Sequence, residues 1–142
     1  MLERYVPGFD QAEFLKKFRE DHGGISAYNA IKILRKKIPD EPYYQKKIKE
    51  AVRKAYPEAY IRKIAQGPYS EGGTADLMVV IDGLYIGLEV KRPVVGSPSK
   101  LQLVSQREVR AAGGIYEIVS WPEEALAVIR EALEMNKRRS KE

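Results

Sequence analysis

The chain has no cysteine, which excludes structural disulfides and thiolate metal sites. Histidine is nearly absent as well. His22 stands alone, so a histidine-built zinc centre and the His-Glu-x-x-His pattern are excluded. It precedes Gly23-Gly24 and reads as a surface residue or a helix C-cap. Ser70 and Ser99 have no histidine partner, which leaves serine-nucleophile chemistry without support. No apolar run approaches the roughly 20 residues that cross a bilayer, so no membrane partner is expected. No hydrophobic stretch follows Leu2-Glu3-Arg4, so no secretory leader is expected either. A cysteine-free chain fits a reducing, cytoplasmic setting. Internal repeats and low-complexity segments are also missing.

What the chain does have is length for one domain and abundant charge. It has 142 residues, 32% of them charged, with a formal net charge of +5. That modest excess is compatible with a polyanionic partner and does not by itself identify one.

Local signals divide the chain cleanly. Asp10 with Glu13 three residues on has capping-box spacing, and Phe14, Leu15 and Phe18 give a helix over about 10–21 its apolar face. Ser26 caps a second helix to about Lys37. Pro39 to Pro42 punctuates, and a third helix runs from about Glu41 to Tyr56. Ala59 to Ile64 reads as a strand, and Gln66 to Gly73 as a loop. Two hairpin strands follow at about Thr74–Ile81 and Leu84–Lys91. Pro93 to Pro98 is a loop rich in turn formers. A helix over about Ser99–Ala112 is closed by Gly113-Gly114. Ile115 to Val119 reads as a short strand. Ser120-x-x-Glu123 with Pro122 starts a last helix that runs to about Met135. Residues 136–142 read as a frayed basic tail. From residue 41 the order is helix, three strands, helix, strand, helix: an α/β arrangement with a mixed sheet. Residues 1–40 read as an appended helical pair.

The hairpin is the most informative stretch. Asp82-Gly83 favours a two-residue turn with positive φ at both positions. That turn sets Ile81 opposite Leu84, Val79 opposite Ile86, Leu77 opposite Leu88, Asp76 opposite Glu89, and Thr74 opposite Lys91. Alternation then puts Asp76, Glu89 and Lys91 on one face, together with Met78, Val80 and Tyr85. Leu84, Ile86, Leu88 and Val90 face the core. Two carboxylates directly opposite each other repel. A divalent cation between them would remove the conflict, and Mg²⁺ is content with one or two carboxylates. The plain alternative is a half-buried hairpin with a charged outer face.

Several pieces together resemble a known family. Gly73-x-Ala75-Asp76, then Glu89-Val90-Lys91-Arg92-Pro93, then Gly96-x-x-Ser99-x-x-Gln102, then Ala112-Gly113-Gly114 are similar in order and spacing to the VRR-NUC (virus-type replication-repair nuclease) branch of the PD-(D/E)XK nucleases. The resemblance covers roughly residues 41–120. One departure is visible: Ala75 stands where the family usually has proline. The resemblance implies a restriction-endonuclease-like αβββαβ core within residues 41–135, flanked by the N-terminal helical pair and the C-terminal helix. It also implies a Mg²⁺- or Mn²⁺-dependent phosphodiesterase acting on DNA. Asp76, Glu89 and the Val90 carbonyl would hold the metal. Lys91 would orient water and offset phosphate charge.

The same resemblance draws in residues from two helices. Glu41-x-x-x-Gln45-x-x-Ile48 is similar to the family's first motif, whose acid helps hold metal or water, with Glu50 the alternative acid. The competing reading of Glu41 is an acid favoured by the helix dipole. Gln102 matches a family glutamine that would bond the lysine, the water or a phosphate, and Gln106 shares its face. Lys46, Lys49 and Arg53 form a basic stripe on the third helix. Arg92, Lys100, Arg107 and Arg110 cluster near the site in sequence and would neutralise phosphates. A solvated helix face explains any one of them equally well. Tyr43, Tyr44 and Tyr69 either stack on splayed bases or belong to the core.

The resulting expectation is a structure-specific DNA endonuclease, working as a homodimer on branched, four-way-junction-like DNA. A catalytically silent DNA-binding or assembly subunit with the same fold is the competing class. A site-specific restriction-type nuclease would need a recognition element, for which only residues 1–40 are available.

Overall fold

The computed structural model describes residues 1–141. The order is α1 (Gln11–Asp21), α2 (Ala27–Lys37), α3 (Glu41–Ala55), β1 (Tyr60–Lys63), β2 (Leu77–Ile81), β3 (Leu84–Val90), α4 (Lys100–Ala111), β4 (Ile115–Val119) and α5 (Pro122–Ser140). From α3 to β4 this is the αβββαβ order expected from the sequence. The fold is α/β, with one mixed four-stranded sheet ordered β1-β2-β3-β4. The first three strands are antiparallel and β4 joins β3 in parallel.

Caps explain where the first helices begin. The Asp10 side chain accepts from the Glu13 N–H, and the Ser26 side chain accepts from the Asn29 N–H. Each satisfies one N–H that a helix start leaves open. In α4, Ser99 and Gln102 complete a reciprocal capping box.

The hairpin register is the one the turn dictates. Asp82 and Gly83 have φ of 51° and 76°, and Leu77 pairs with Leu88, Val79 with Ile86, and Ile81 with Leu84. The inner face of the sheet carries Ile61, Leu77, Val79, Ile86, Leu88, Val90 and Val119. These join Ile48 and Val52 of α3 and Ala125, Ile129 and Ala132 of α5 in one buried cluster, which Phe18, Ala30, Leu34 and Ile38 of the N-terminal segment also enter. The first residues are tied to the body of the fold as well. The Leu2 carbonyl accepts from Tyr44 Oη (2.8 Å) and from Trp121 Nε1 (3.3 Å).

Three expectations need correction. β2 begins at Leu77, not Thr74, and Thr74 does not pair with Lys91. The Lys91 N–H instead donates to the Val119 carbonyl of β4, while Thr74 Oγ1 donates to Glu71 within its own loop. Alternation turns the Lys91 N–H away from β2 and towards β4, so no backbone bond from it holds Thr74 opposite. The acid capping α5 is Glu124, not Glu123: its Oε1 accepts from both the Ser120 and Trp121 N–H groups. Trp121 is buried and takes the N-cap place, which shifts the capping frame by one residue. Finally, α5 continues through Ser140 instead of ending near Met135. No breaker follows Met135, and Lys137, Arg138 and Arg139 suit the negative end of a helix. Of the expected basic tail, Glu142 lies outside the described residues.

Candidate active site

On the outer face of the sheet α4 packs against β4, and polar residues gather where it reaches the end of β3. Glu89 is fully buried, at 0% exposure. Its Oε1 accepts from Gln102 Nε2 of α4 at 2.8 Å, and its Oε2 lies 3.3 Å from Tyr116 Oη of β4. Burial is the main force raising its pKa, to about 8. A side-chain hydrogen bond with Asp76 and the negative charge of Asp76 add to it, and Lys91 opposes it. Asp76 is half-buried, and its Oδ2 accepts from the Val90 N–H at 3.0 Å. The two acids therefore meet across the hairpin, one residue beyond the Leu77–Leu88 pair, as the register requires. Ala75, beside Asp76, is buried, and a Cβ at Gly87 would lie 3.0 Å from its methyl. The strands are close-packed at this point, and the alanine fits.

Lys91 Nζ lies 3.7 Å from Glu89 Oε1 and 3.9 Å from Glu41 Oε2. Both are ion-pair separations longer than a normal hydrogen bond. Glu41 arrives from the first turn of α3. Its pKa is raised, by burial first and by Asp76 second, with Lys91, Lys63 and Arg92 acting in the opposite direction. Gln45, one turn on, donates to Glu41 Oε1 at 3.3 Å, and its own Oε1 is buried without a partner.

Gln102 holds Glu89 directly; it was expected to bond the lysine, the water or a phosphate. Its Oε1 accepts from the Ser99 N–H and its Nε2 donates to the carboxylate, so one side chain caps α4 and holds the acid. Gln106 lies deeper and donates to the Tyr116 carbonyl. Tyr116 was not singled out from the sequence. Its hydroxyl donates to the Gly73 carbonyl at 2.8 Å as well as approaching Glu89, and burial followed by the Glu89 charge pushes its pKa up. It stays a proton donor and links the loop before Asp76 to the acid of β3. Strand parity in β4 is the signal that places it on this face.

The acid pair fits a hard divalent cation. A fully buried carboxyl beside a second one is a costly arrangement, which a dication bound by oxygen would relieve. Among the described residues no three His, Cys, Asp or Glu side chains gather as a metal cage. A cation here would have the two carboxylates of Asp76 and Glu89, with other oxygens completing its shell, a number that Mg²⁺ accepts. The Val90 N–H donates to Asp76, which keeps the end of β3 close to that acid.

The basic residues fall into separate places. Lys46 and Lys49 border a hollow of about 190 Å³ with Pro42, Gln45, Leu77 and Lys63. Lys63, at the end of β1 opposite Leu77, was not foreseen from the sequence. Arg53 is exposed in the last turn of α3, and Lys100 is exposed in the first turn of α4. Arg110 is paired with Glu117 at 2.6 Å. Arg92 is engaged at the end of α2. Its guanidinium donates to the carbonyls of Arg35 (2.6 Å), Ile38 (2.7 Å) and Pro39 (2.9 Å), because the open C-terminus of α2 ends beside it. The guanidinium expected to meet phosphate is held by these three carbonyls. Tyr44 is buried and Tyr43 donates to the Glu3 carbonyl, whereas Tyr69 is fully exposed. Glu50 is exposed, and His22 caps α1 with its ring stacked on Phe18. A hollow of about 400 Å³ lies between β4 and α5, lined by Ile115, Glu117, Val128 and Met135 among others, none of them part of the acid cluster.

In comparison with solved structures, the chain is similar to one described as a "VRR_NUC domain". Identity is 20%, the TM-score is 0.49, and the match covers 61% of this chain and 95% of that one. No family model matches the chain, and no curated protein matches it. At this identity the likeness says nothing about the role of any residue.

Proposed function

We propose that this chain is a divalent-metal-dependent endodeoxyribonuclease that hydrolyses phosphodiester bonds in branched DNA. The observation that carries the reading is the fully buried Glu89, with a second carboxyl and a lysine ammonium beside it. Such a cluster is costly to fold, and it is explained if the charges meet a cation and a phosphate. Asp76 and Glu89, with the Val90 carbonyl, would hold Mg²⁺ or Mn²⁺. When bound there, such an ion would supply Lewis-acid stabilisation of phosphoryl oxygens and a more acidic water near neutral pH.

The remaining chemistry belongs to the chain's own groups. Gln102 and Tyr116 fix both oxygens of Glu89, so the carboxylate is oriented before substrate arrives. The Lys91 ammonium can donate to water or to a phosphate oxygen, and its charge offsets that of the phosphate. Glu41, on the other side of Lys91, can accept a hydrogen bond from the attacking water. Lys46 and Lys49, joined by Lys63, border a basic hollow next to Gln45 and offer a path for a DNA backbone; Lys100 would extend it from α4. A homodimer would place two such sites on two strands of a junction, with residues 1–40 available as a dimer surface or a DNA clamp.

The test is incubation with duplex, nicked, flap and four-way DNA in Mg²⁺, Mn²⁺ or EDTA. Metal-dependent cleavage that is lost in Asp76→Asn and Lys91→Ala, with DNA binding retained, is the expected result. Equal cutting by both variants would remove these residues from the mechanism. Salt-sensitive binding with no cleavage of any substrate would favour the silent DNA-binding or assembly subunit.

A further inference from the structure

Arg92 directly follows Lys91, yet its side chain turns away from the site towards the junction of α2 and α3. There it closes three backbone carbonyls, those of Arg35, Ile38 and Pro39, at 2.6 to 2.9 Å. Arg35 and Ile38 belong to the end of α2, where carbonyls lack helical partners and a cation is favoured. Pro39 lies two residues before Glu41. The contacts bridge sequence separations of 53 to 57 residues, so local chain geometry does not impose them.

The backbone around Arg92 is locked as well. Val94 has φ of 67°, a left-handed conformation that a β-branched residue adopts only when its surroundings enforce it. Val94 packs against the core, and Pro93 is buried. The Gly96 N–H donates back to the Arg92 carbonyl at 3.1 Å, and a Cβ at Gly96 would lie only 2.8 Å from the Arg92 N and O atoms. The turn after Lys91 is thus a rigid mount. One end carries the ammonium and the other holds the segment from which Glu41 departs.

We infer that Arg92 is a positioning residue: by stapling the α2–α3 junction to the end of β3 it sets the Glu41 carboxylate against the Lys91 ammonium. The helical pair of residues 1–40 then has a definite task, which is to present a helix terminus that Arg92 can grip. A solvated junction would let the first turn of α3 move relative to β3. The Glu41–Lys91 separation of 3.9 Å is long enough for small displacements to matter. A lysine at position 92 has donors but lacks the planar fork that reaches several carbonyls at once.

This inference rests on the nuclease reading for its cleavage measurements only, and hydrogen exchange tests its geometry independently. Full-length parent, Arg92→Ala, Arg92→Lys, Glu41→Gln and the Arg92→Ala/Glu41→Gln double variant are compared on four-way DNA with Mg²⁺, and by hydrogen-exchange mass spectrometry without metal. Arg92→Ala is expected to lower kcat by about tenfold to a hundredfold while KM stays within about twofold. Arg92→Lys should recover part of that loss. In the Glu41→Gln background, Arg92→Ala should cost less than about twofold more, because the group it positions is already gone. Exchange should rise in peptides covering residues 35–45 and stay unchanged in the β2–β3 hairpin. Losses that multiply in the double variant, or a raised KM with kcat intact, would overturn the inference, the latter in favour of direct DNA contact. Unchanged exchange at residues 35–45 overturns it whatever the cleavage result. If the parent cuts nothing yet exchange rises there in Arg92→Ala and Arg92→Lys, the staple stands and the nuclease reading falls. If Arg92→Ala does not fold, Arg92→Lys carries the same comparison.

Discussion

Leu88 and Glu89 are neighbours on one strand, and both are fully buried, yet they face opposite sides of the sheet and obey opposite rules. Leu88 enters the hydrocarbon layer between the sheet and α3 and α5, where burial stabilises by area and shape. Glu89 enters a layer roofed by α4, where burial is unfavourable to its charge and only Gln102, Tyr116 and Lys91 offset it. The inner face holds the molecule together. The outer face at the same position holds an ionisable group that the fold alone does not need. A strand that carried only structural roles would bear an apolar or small residue at position 89.

Substitutions at the two faces should separate cleanly. On the outer face, Asp76→Asn or Lys91→Ala should lower the rate of DNA cleavage by about 10² to 10³-fold or more, with the urea midpoint unchanged or raised. Loss of folding in Asp76→Asn would erase the distinction between the faces. On the inner face, Leu88→Ala should cost about 2 to 5 kcal/mol of stability in urea unfolding. DNA cleavage by the fraction that stays folded should be near that of the parent.

A subtler effect lies in the pH dependence of folding. Glu89 is pushed up to about 8 in the folded chain from 4.5 as the ordinary value. The folded state therefore holds a proton that the unfolded chain releases between those two pH values. Its contribution to stability is full below about 4.5 and is lost as pH rises towards 8. In EDTA, the melting temperature of Glu89→Gln should gain on that of the parent as pH is raised from 5 to 8. A constant difference over that range would mean that Glu89 ionises normally. Smallest of all, Lys46→Ala and Lys49→Ala should leave folding alone and reduce the slope of log K against log salt for DNA by about one unit each. No change in slope would place the DNA path elsewhere.

Much of the outer-face site was legible in one dimension because a hairpin is a local object. Asp82-Gly83 admits few turns, the turn dictates the register, and alternation places Asp76, Glu89 and Lys91 on one face. Helix starts at Asp10, Ser26 and Ser99 were equally local, since a cap and its N–H lie within three residues. The capping frame of α5 slipped by one residue because a buried Trp121 decided it, and packing is not visible in a capping motif.

Contacts between distant segments account for the rest. Tyr116 reaches Glu89 only because β4 docks in parallel beside β3. Lys63 enters the basic hollow only through the pairing of β1 with β2. Arg92 stood in a motif beside Lys91 and read as a phosphate contact, but a helix end from the first 40 residues lies within its reach and its carbonyls claim the guanidinium. Short-range sterics and hydrogen bonding, encoded residue by residue, suffice to bring the two acids and the ammonium together. Which groups surround them depends on where whole helices and strands settle when they bury their apolar faces, and no local pattern carries that information.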